Sequence, residues 1–297
     1  MAFIQRNIAF GLFLAACVFL EAREIKSSIT GSLDWEQMRI DVELSIELAS
    51  AGIRLPSGRT QAEEILFSQY FDRMRPFILS IRLDSSTIIG DLVEAGEIPP
   101  TVVDMLALQA SRQAPKYSVD FRAISSAYMI DLKNIGSKLV NHRQSARPAR
   151  IINPRPAAEY TGIIIIAEDK LPVHGRKNYE ELLPCLFPKI WDTEMHLIYD
   201  KKMTRPDWGA DFAMVHYTGA GSIFENTPSG LSASLQKVVG DKPLRVIARG
   251  VFGVNPTDPI IDRADALNIL SSETNKRLLN EGRVAFIVPA AALNKGL

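Results

Sequence analysis

Four consecutive isoleucines, Ile163–Ile166, constrain the fold of this 297-residue chain more than any other feature. Side chains of a β-strand alternate between the two faces of its sheet, so a strand that is apolar at every position has to be buried on both faces. The run lies within Tyr160–Ala167 and ends at Glu168. The second half of the chain is therefore predicted to contain a sheet in which this strand is central.

The first half of the chain shows the opposite pattern. Apolar and polar residues alternate through Met38–Leu48, after a shorter candidate strand at Ser28–Leu33. A period of two predicts a hairpin with one face buried and the other in water. Alternation at Tyr117, Val119 and Phe121 predicts the start of a second hairpin that ends near Leu132.

A long amphipathic helix is predicted between these hairpins. Thr60 and Glu63 have the spacing of a capping box, and apolar residues then recur every three or four positions up to Ile81. Pro76 is expected to kink or split this helix. Strands that flank helices in this order indicate an α+β domain.

The stretch Pro243–Asp265 concentrates turn signals in the second half. A strand from Leu244 is interrupted at Gly250 and Gly253 and by two Pro-containing pairs, and a helix is predicted to begin at Asp262, which would cap it. So many local signals indicate a tightly specified structural corner and not a catalytic loop.

The chain is thus predicted to be α+β, with two small domains that each contain a mostly antiparallel sheet covered by helices. The predicted divisions are a signal peptide at 1–22, an N-terminal domain at 23–136, a basic linker at 137–156 and a C-terminal domain at 157–297.

The N-terminal residues predict export. Arg6 precedes the almost wholly apolar segment Ile8–Leu20, which has the length of a secretory signal and is short for a membrane span. Two processing routes remain open. Cleavage near Ala22 would release the chain, whereas Leu14–Cys17 resembles a lipobox in which Cys17 would carry lipid. The expected location is the periplasm or the periplasmic face of the outer membrane, with membrane contact only through the signal or a lipid anchor.

Charge composition argues against nucleic acid as a partner. Lys+Arg and Asp+Glu both number 34, and a nucleic-acid surface needs a basic excess. The predicted linker differs, because it is basic and has no acidic residue. Two interpretations stand: a solvated interdomain segment, or a contact with an anionic partner. The candidate contact residues are Arg143, Arg147, Arg150 and Arg155.

No sequence motif indicates catalysis. The four histidines are isolated from one another, and Thr218–Ser222 lacks the ending of a phosphate-binding loop. We expect no catalytic residue, metal or cofactor, and we expect Cys185 to be a small buried residue. An alternative is a binding surface for glycan or peptidoglycan, or a hydrolase. Its candidate residues are Trp191, Tyr199, Trp208, Asp258 and Asp262.

Two stretches carry family resemblances. Ala51–Glu64, AGIRLPSGRTQAEE, with the helix and hairpin after it, resembles exported bacterial flagellum-associated envelope proteins of the FlgT N-terminal and FlgP-like lipoprotein group. Tyr160–Ile163, Phe187–Asp192 and Asn255–Ala266 together resemble an uncharacterised domain of exported bacterial proteins. These resemblances imply export and a role in assembly, and they imply no catalytic residues.

The expected function is therefore that of an exported, non-enzymatic envelope protein acting through protein–protein contacts, in flagellar or secretion-structure assembly. Envelope or flagellar proteins are its expected partners. The glycan- or peptidoglycan-binding module, or hydrolase, is the alternative.

Overall fold

The structure is a computed structural model, and it describes residues 25–140, 142–148, 151, 154, 156–208 and 212–296. The predicted signal peptide and Cys17 lie outside the described residues, as do Arg150 and Arg155 of the predicted linker. Within the described part of the chain, no helix combines the length and the apolar character needed to cross a membrane.

The first domain consists of an antiparallel sheet and a layer of helices. Its strands are β1 (Ser27–Asp34), β2 (Arg39–Glu47), β3 (Ser111–Arg112), β4 (Lys116–Tyr117) and β5 (Ala123–Asp131). Its helices are α1 (Arg59–Leu79), α2 (Ile89–Glu94), α3 (Pro100–Leu108) and α4 (Leu132–Lys138). The strand order is β1-β2-β5-β3, and β4 also pairs with β5.

Alternation in the sequence decides which face of this sheet is covered. Ile40, Val42 and Leu44 are buried, whereas Glu43 on the opposite face is exposed. The predicted hairpin is confirmed, since β1 and β2 pair antiparallel over their whole length. Helix α1 packs on the apolar face through a four-residue repeat of buried side chains. These are Ala62, Leu66, Tyr70, Met74 and Ile78.

The start and the interior of α1 differ from the predictions. The helix is continuous across Pro76 and is not split there. Thr60 lies inside the helix, Gly58 occupies the N-cap position and no side chain caps the end, so the capping-box prediction was wrong. Arg59 instead bonds Glu63 across one turn at 3.2 Å, which removes Glu63 from any capping role.

The second domain holds the remaining elements. Its strands are β6 (Ile163–Ile166), β7 (Leu171–Pro172), β8 (Tyr179–Glu180), β9 (Ile190–Asp192), β10 (Leu197–Tyr199), β11 (His216–Thr218), β12 (Leu244–Ile247), β13 (Gly250–Phe252), β14 (Asp258–Ile261), β15 (Val284–Ile287) and β16 (Asn294–Gly296). Its helices are α5 (Ala233–Val239), α6 (Arg263–Leu270), α7 (Glu273–Asn280) and α8 (Ala290–Leu293).

The isoleucine strand β6 lies inside a four-stranded sheet of order β11-β15-β6-β12, as its sequence predicted. Ile163 and Ile165 join the main core on one face, and Ile164 joins a second core beneath α5 on the other. All pairings in this sheet are parallel, which corrects the mostly antiparallel arrangement predicted for this domain. Helix α5 packs on the face that carries Ile164 and the opposite face joins the main core, so the sheet is buried on both faces, as parallel sheets usually are.

The corner at Pro243–Asp265 transfers the chain between two sheets. Strand β12 belongs to the parallel sheet, whereas β13 and β14 form a hairpin in a second sheet of order β10-β9-β14-β13. Gly253, in the turn of that hairpin, has φ +118°, and a Cβ there would lie 2.3 Å from the Cβ of Ser85 in the first domain. A glycine is therefore required where the turn meets the other domain.

The two domains share one hydrophobic core. A single buried cluster contains Leu44 of the first sheet and Phe286 of the parallel sheet. Trp35 is completely buried, and its ring meets Tyr217 edge-on at a centroid distance of 5.8 Å. The C-terminal strand β16 returns to the first domain and pairs antiparallel with β1. The chain outside 25–140 thus completes the first sheet.

Candidate functional site

The backbones of the two domains bond directly at several places, and one of them, which we call the domain junction, joins residues 82–85 to residues 184–187 and Asn255. Leu186 and Phe187 donate backbone N–H bonds to the carbonyls of Arg82 and Leu83 at 3.1 and 2.7 Å. Asn255 donates to the carbonyl of Ser85 at 2.9 Å. The junction therefore joins segments about 100 and 170 residues apart through backbone hydrogen bonds, as a β-sheet does.

Asp258 is buried beside the junction and is saturated with hydrogen bonds. Its oxygens accept from Lys189 N–H at 3.0 Å, from Trp191 Nε1 at 3.3 Å and from the Thr257 hydroxyl at 3.1 Å. Burial raises the pKa of Asp258, while these donors and the Ser85 hydroxyl act to lower it. The structure thus brings together two predicted binding residues, Trp191 and Asp258, but their polar atoms bond each other.

Cys185 and Tyr217 form a reciprocal pair in the same region. The Tyr217 hydroxyl donates to the Cys185 carbonyl at 2.9 Å and accepts from the Cys185 N–H at 3.2 Å. Burial is the main cause that raises the pKa of the Cys185 thiol, so the thiolate needed for nucleophilic attack is suppressed. The prediction that Cys185 is a small buried residue is confirmed.

The other predicted aromatic residues have separate packing partners. Tyr199 is completely buried, and its hydroxyl donates to the Met214 carbonyl at 3.1 Å. The half-buried Trp208 donates to the Thr204 hydroxyl at 3.0 Å and packs on Phe212 at a centroid distance of 4.6 Å. None of the three residues Trp191, Tyr199 and Trp208 lines the basic trough or the cavities beside β2, β5 and β11.

Asp262 stands at the N-cap position of α6, but its side chain makes no capping bond there. Its carboxylate pairs with Arg249 Nε at 2.7 Å instead. The predicted helix start is correct and the predicted capping bond is wrong, because the guanidinium outcompetes backbone N–H groups for the carboxylate.

Asp192, Glu194 and His196 have ligand atoms within 4.8 Å of one another, the spacing of a candidate metal centre. A cation is already present there, because Arg263 Nη1 bonds Asp192 and Arg263 Nε lies 3.7 Å from Glu194. Burial acts to raise the pKa of Asp192, but bonds from the His196 N–H, Arg263 and the Glu194 N–H outweigh it and lower the pKa. The cluster is thus a satisfied ion-pair network.

The described residues of the predicted basic contact, Arg143 and Arg147, are exposed and not buried. We call residues 142–148 the arm; it lies against the second domain, where Ala146 N–H donates to the Lys202 carbonyl at 2.6 Å. Beside it is an open cavity of about 1000 Å³, which we call the basic trough. Arg147 lines it together with Lys276 and Arg277 of α7. Arg143 is exposed on the same arm.

Lys276 and Arg277 were not predicted as contact residues from the sequence. The available signal was their place on α7, whose buried Leu278 and Leu279 leave the preceding charged residues on the outer surface. Nothing in the sequence indicated that the arm would lie beside this helix, because the two are about 130 residues apart.

Comparison with known families finds two matches, both named for domains of Tp0624 from Treponema pallidum. Residues 26–138 match the model of its N-terminal domain, and residues 162–290 match the model of its second domain. These matches, with the observed elements, confirm a two-domain α+β organisation. No curated protein matches the chain. Neither family is the flagellar group named above, so that resemblance stays a prediction.

Proposed function

We propose that this chain is an exported, non-enzymatic protein of the cell envelope that acts through contacts with other proteins. Export rests on the apolar segment Ile8–Leu20, which follows Arg6. The balance of charges favours protein partners over nucleic acid. The narrower role in flagellar or secretion-structure assembly is supported by the resemblance of Ala51–Glu64.

One observation carries the non-enzymatic part of this proposal: the buried polar groups of the domain junction are consumed by structural bonds. Active sites usually hold groups with perturbed pKa values in positions where a substrate can reach them. Here Asp258 and Tyr217 have raised pKa values, yet both are buried and bonded to groups of their own chain. Their bonds fix the second-domain segments that meet the domain junction, and the Ser85 hydroxyl of the first domain also acts on Asp258.

Fractionation and crosslinking of the producing cells test this proposal. The full chain should be recovered with the envelope, and an amine-reactive crosslinker should join it to specific proteins that mass spectrometry identifies. A matched control begins at Arg23 and lacks the predicted signal; it should remain in the cytoplasm without those crosslinks. Recovery of the full chain as an uncrosslinked monomer, or only in the cytoplasm, would contradict the proposal.

A further inference from the structure

The basic trough is a built surface and not a chance approach of side chains. Asn280 Nδ2 donates to the Ser145 hydroxyl at 2.9 Å and to the Met203 carbonyl at 3.1 Å. On the same side of the arm, the His142 ring nitrogen Nε2 lies 2.9 Å from the Thr204 carbonyl. These bonds hold the arm against the second domain at His142 and Ser145, shortly before Arg147 in the chain.

The trough has more cationic than anionic side chains, and these cations can contact an anionic ligand. Arg147 is exposed, and its guanidinium forms no hydrogen bond or ion pair with any described residue. Lys276 pairs with Glu273 at 2.6 Å, and Arg277, whose side chain is 67% exposed, lies 3.5 Å from Glu281. The Arg277 pair is exposed and contributes little free energy, so an incoming carboxylate can replace Glu281 at small cost. The Lys276 side chain is only 20% exposed, whereas its partner Glu273 is 90% exposed.

The rest of the lining is mixed in character. Met203, Ala146 and Pro148 contribute apolar surface, and Thr274 and Asn280 contribute polar groups. A peptide offers the same mixture of apolar and polar groups. A densely charged polymer such as a nucleic acid binds through many phosphate contacts with Lys and Arg at once, and here three cations and one carboxylate line about 1000 Å³.

The concave shape of the trough argues against a membrane surface as the alternative ligand. The cationic groups lie along a recess between the arm and α7, and a flat bilayer headgroup layer contacts protruding cations best. An extended segment of another protein can enter such a recess.

We propose that the basic trough binds an acidic peptide segment of a partner protein, with Arg147, Lys276 and Arg277 contacting its carboxylates. This inference rests on the proposed function, because it names the chemistry of one partner contact. Arg143 extends the same basic surface along the arm.

Fluorescence anisotropy with a labelled twelve-residue Glu-Ala-Ser repeat peptide tests the proposal on the chain from Arg23 to its end. The peptide should bind, and its Gln-for-Glu counterpart should bind at least about tenfold more weakly, since only the carboxylates differ. Arg147→Glu should weaken binding of the acidic peptide about tenfold or more. Raising the salt concentration should weaken it with a shallow slope, because few ion pairs form.

Arg176→Glu is the matched control, because it makes the same charge change at an exposed turn of the same domain. It should leave peptide binding within about twofold of the unmodified chain, which separates a local contact from a general effect of net charge. Equal losses for Arg147→Glu and Arg176→Glu would overturn the proposed site. Both variants should keep the circular dichroism spectrum and melting temperature of the parent.

Two further probes separate this inference from its alternatives. Binding to phosphatidylglycerol vesicles or to polyphosphate, with none to the acidic peptide, would overturn the peptide assignment. Crosslinks to envelope proteins that persist unchanged in Arg147→Glu cells would overturn the trough as a partner site and leave the proposed function standing. Loss of one specific crosslinked partner in that variant alone would support the trough.

Discussion

The domain junction and the basic trough both concentrate charged and polar groups, yet they differ in what those groups can still do. At the junction, Asp258 is inaccessible to solvent and accepts several hydrogen bonds from its own chain. In the trough, Arg147 is exposed and has no such partner among the described residues. A polar group that is buried and satisfied contributes to folding, and one that is ordered but unpaired remains available for a ligand.

The energetic reason is the difference in solvation. A buried donor or acceptor that loses its partner costs free energy because water cannot replace that partner. An exposed ion loses little, because water and salt already screen it. Substitutions at the junction should therefore change stability, and substitutions in the trough should change binding alone.

The largest effect is expected for Trp35→Ala. Trp35 fills the shared core beside Tyr217, so truncation should lower the free energy of unfolding by about 3–5 kcal/mol. Urea denaturation measures this. Phe67→Ala is the control, because Phe67 is 43% exposed and should cost less than about 1 kcal/mol. Equal losses for the two variants would contradict a core that crosses the domains.

Asp258→Ala should have the next largest effect. The Lys189 N–H, the Trp191 Nε1–H and the Thr257 hydroxyl would lose their acceptor, which should cost about 3 kcal/mol of unfolding free energy. Asp262→Ala removes a carboxylate from a half-exposed pair and should cost about 0.5 kcal/mol. If Asp258→Ala unfolds at the same urea concentration as the parent, the junction does not depend on this carboxylate.

Acidification should lower the free energy of unfolding through His216. Burial, and secondarily the nearby Lys133, lower the pKa of His216 to about 4. The unfolded chain, with a histidine pKa of about 6.5, binds the proton first. Above pH 6.5 the free energy of unfolding does not depend on protonation of His216. As pH falls from 6.5 to 4, it decreases by about 2 kcal/mol, after allowance for the partial exposure of the ring.

His216→Gln measures this pH effect, because it removes the titrating group. Urea midpoints between pH 7.5 and 4 should fall less steeply for the variant than for the parent. Parallel curves would show that His216 does not titrate abnormally in the folded state.

The smallest effect on stability is expected for Arg147→Glu. Its side chain has no described bond to lose, so the free energy of unfolding should change by less than about 0.5 kcal/mol. The same variant should lose binding of the acidic peptide. A loss of stability comparable to that of Asp258→Ala would mean that the arm belongs to the fold, as the junction does.

Local patterns in the sequence predicted the elements well where one residue type dominated. The isoleucine run predicted a central strand, and the alternation in Met38–Leu48 predicted β2. The alternation at Tyr117, Val119 and Phe121 correctly predicted a second hairpin, because β4 pairs antiparallel with β5, but it overstated the length of the first strand. Strand β4 ends at Tyr117. Val119 and Phe121 are exposed in the turn that follows, where the Ser118 hydroxyl accepts hydrogen bonds from the N–H groups of Arg122 and Ala123.

Contacts between distant residues could not be predicted in this way. The pairing of β16 with β1 joins segments about 260 residues apart, and the approach of the arm to α7 depends on how the second domain folds. The sequence named Asp258, Trp191 and Arg147 as candidates by their residue types. Whether each of these residues supports the fold or can bind a ligand depends on its burial and its hydrogen-bond partners. Only the three-dimensional structure determines these.

Native-state hydrogen exchange tests most directly the claim that the shared core makes the two domains one folding unit. The slowest amides of β2 in the first sheet and of β6 in the parallel sheet should exchange with the same opening free energy, and Trp35→Ala should lower both by the same amount. Retention of full protection in β6 while β2 loses it would contradict the claim, because the domains would then unfold independently.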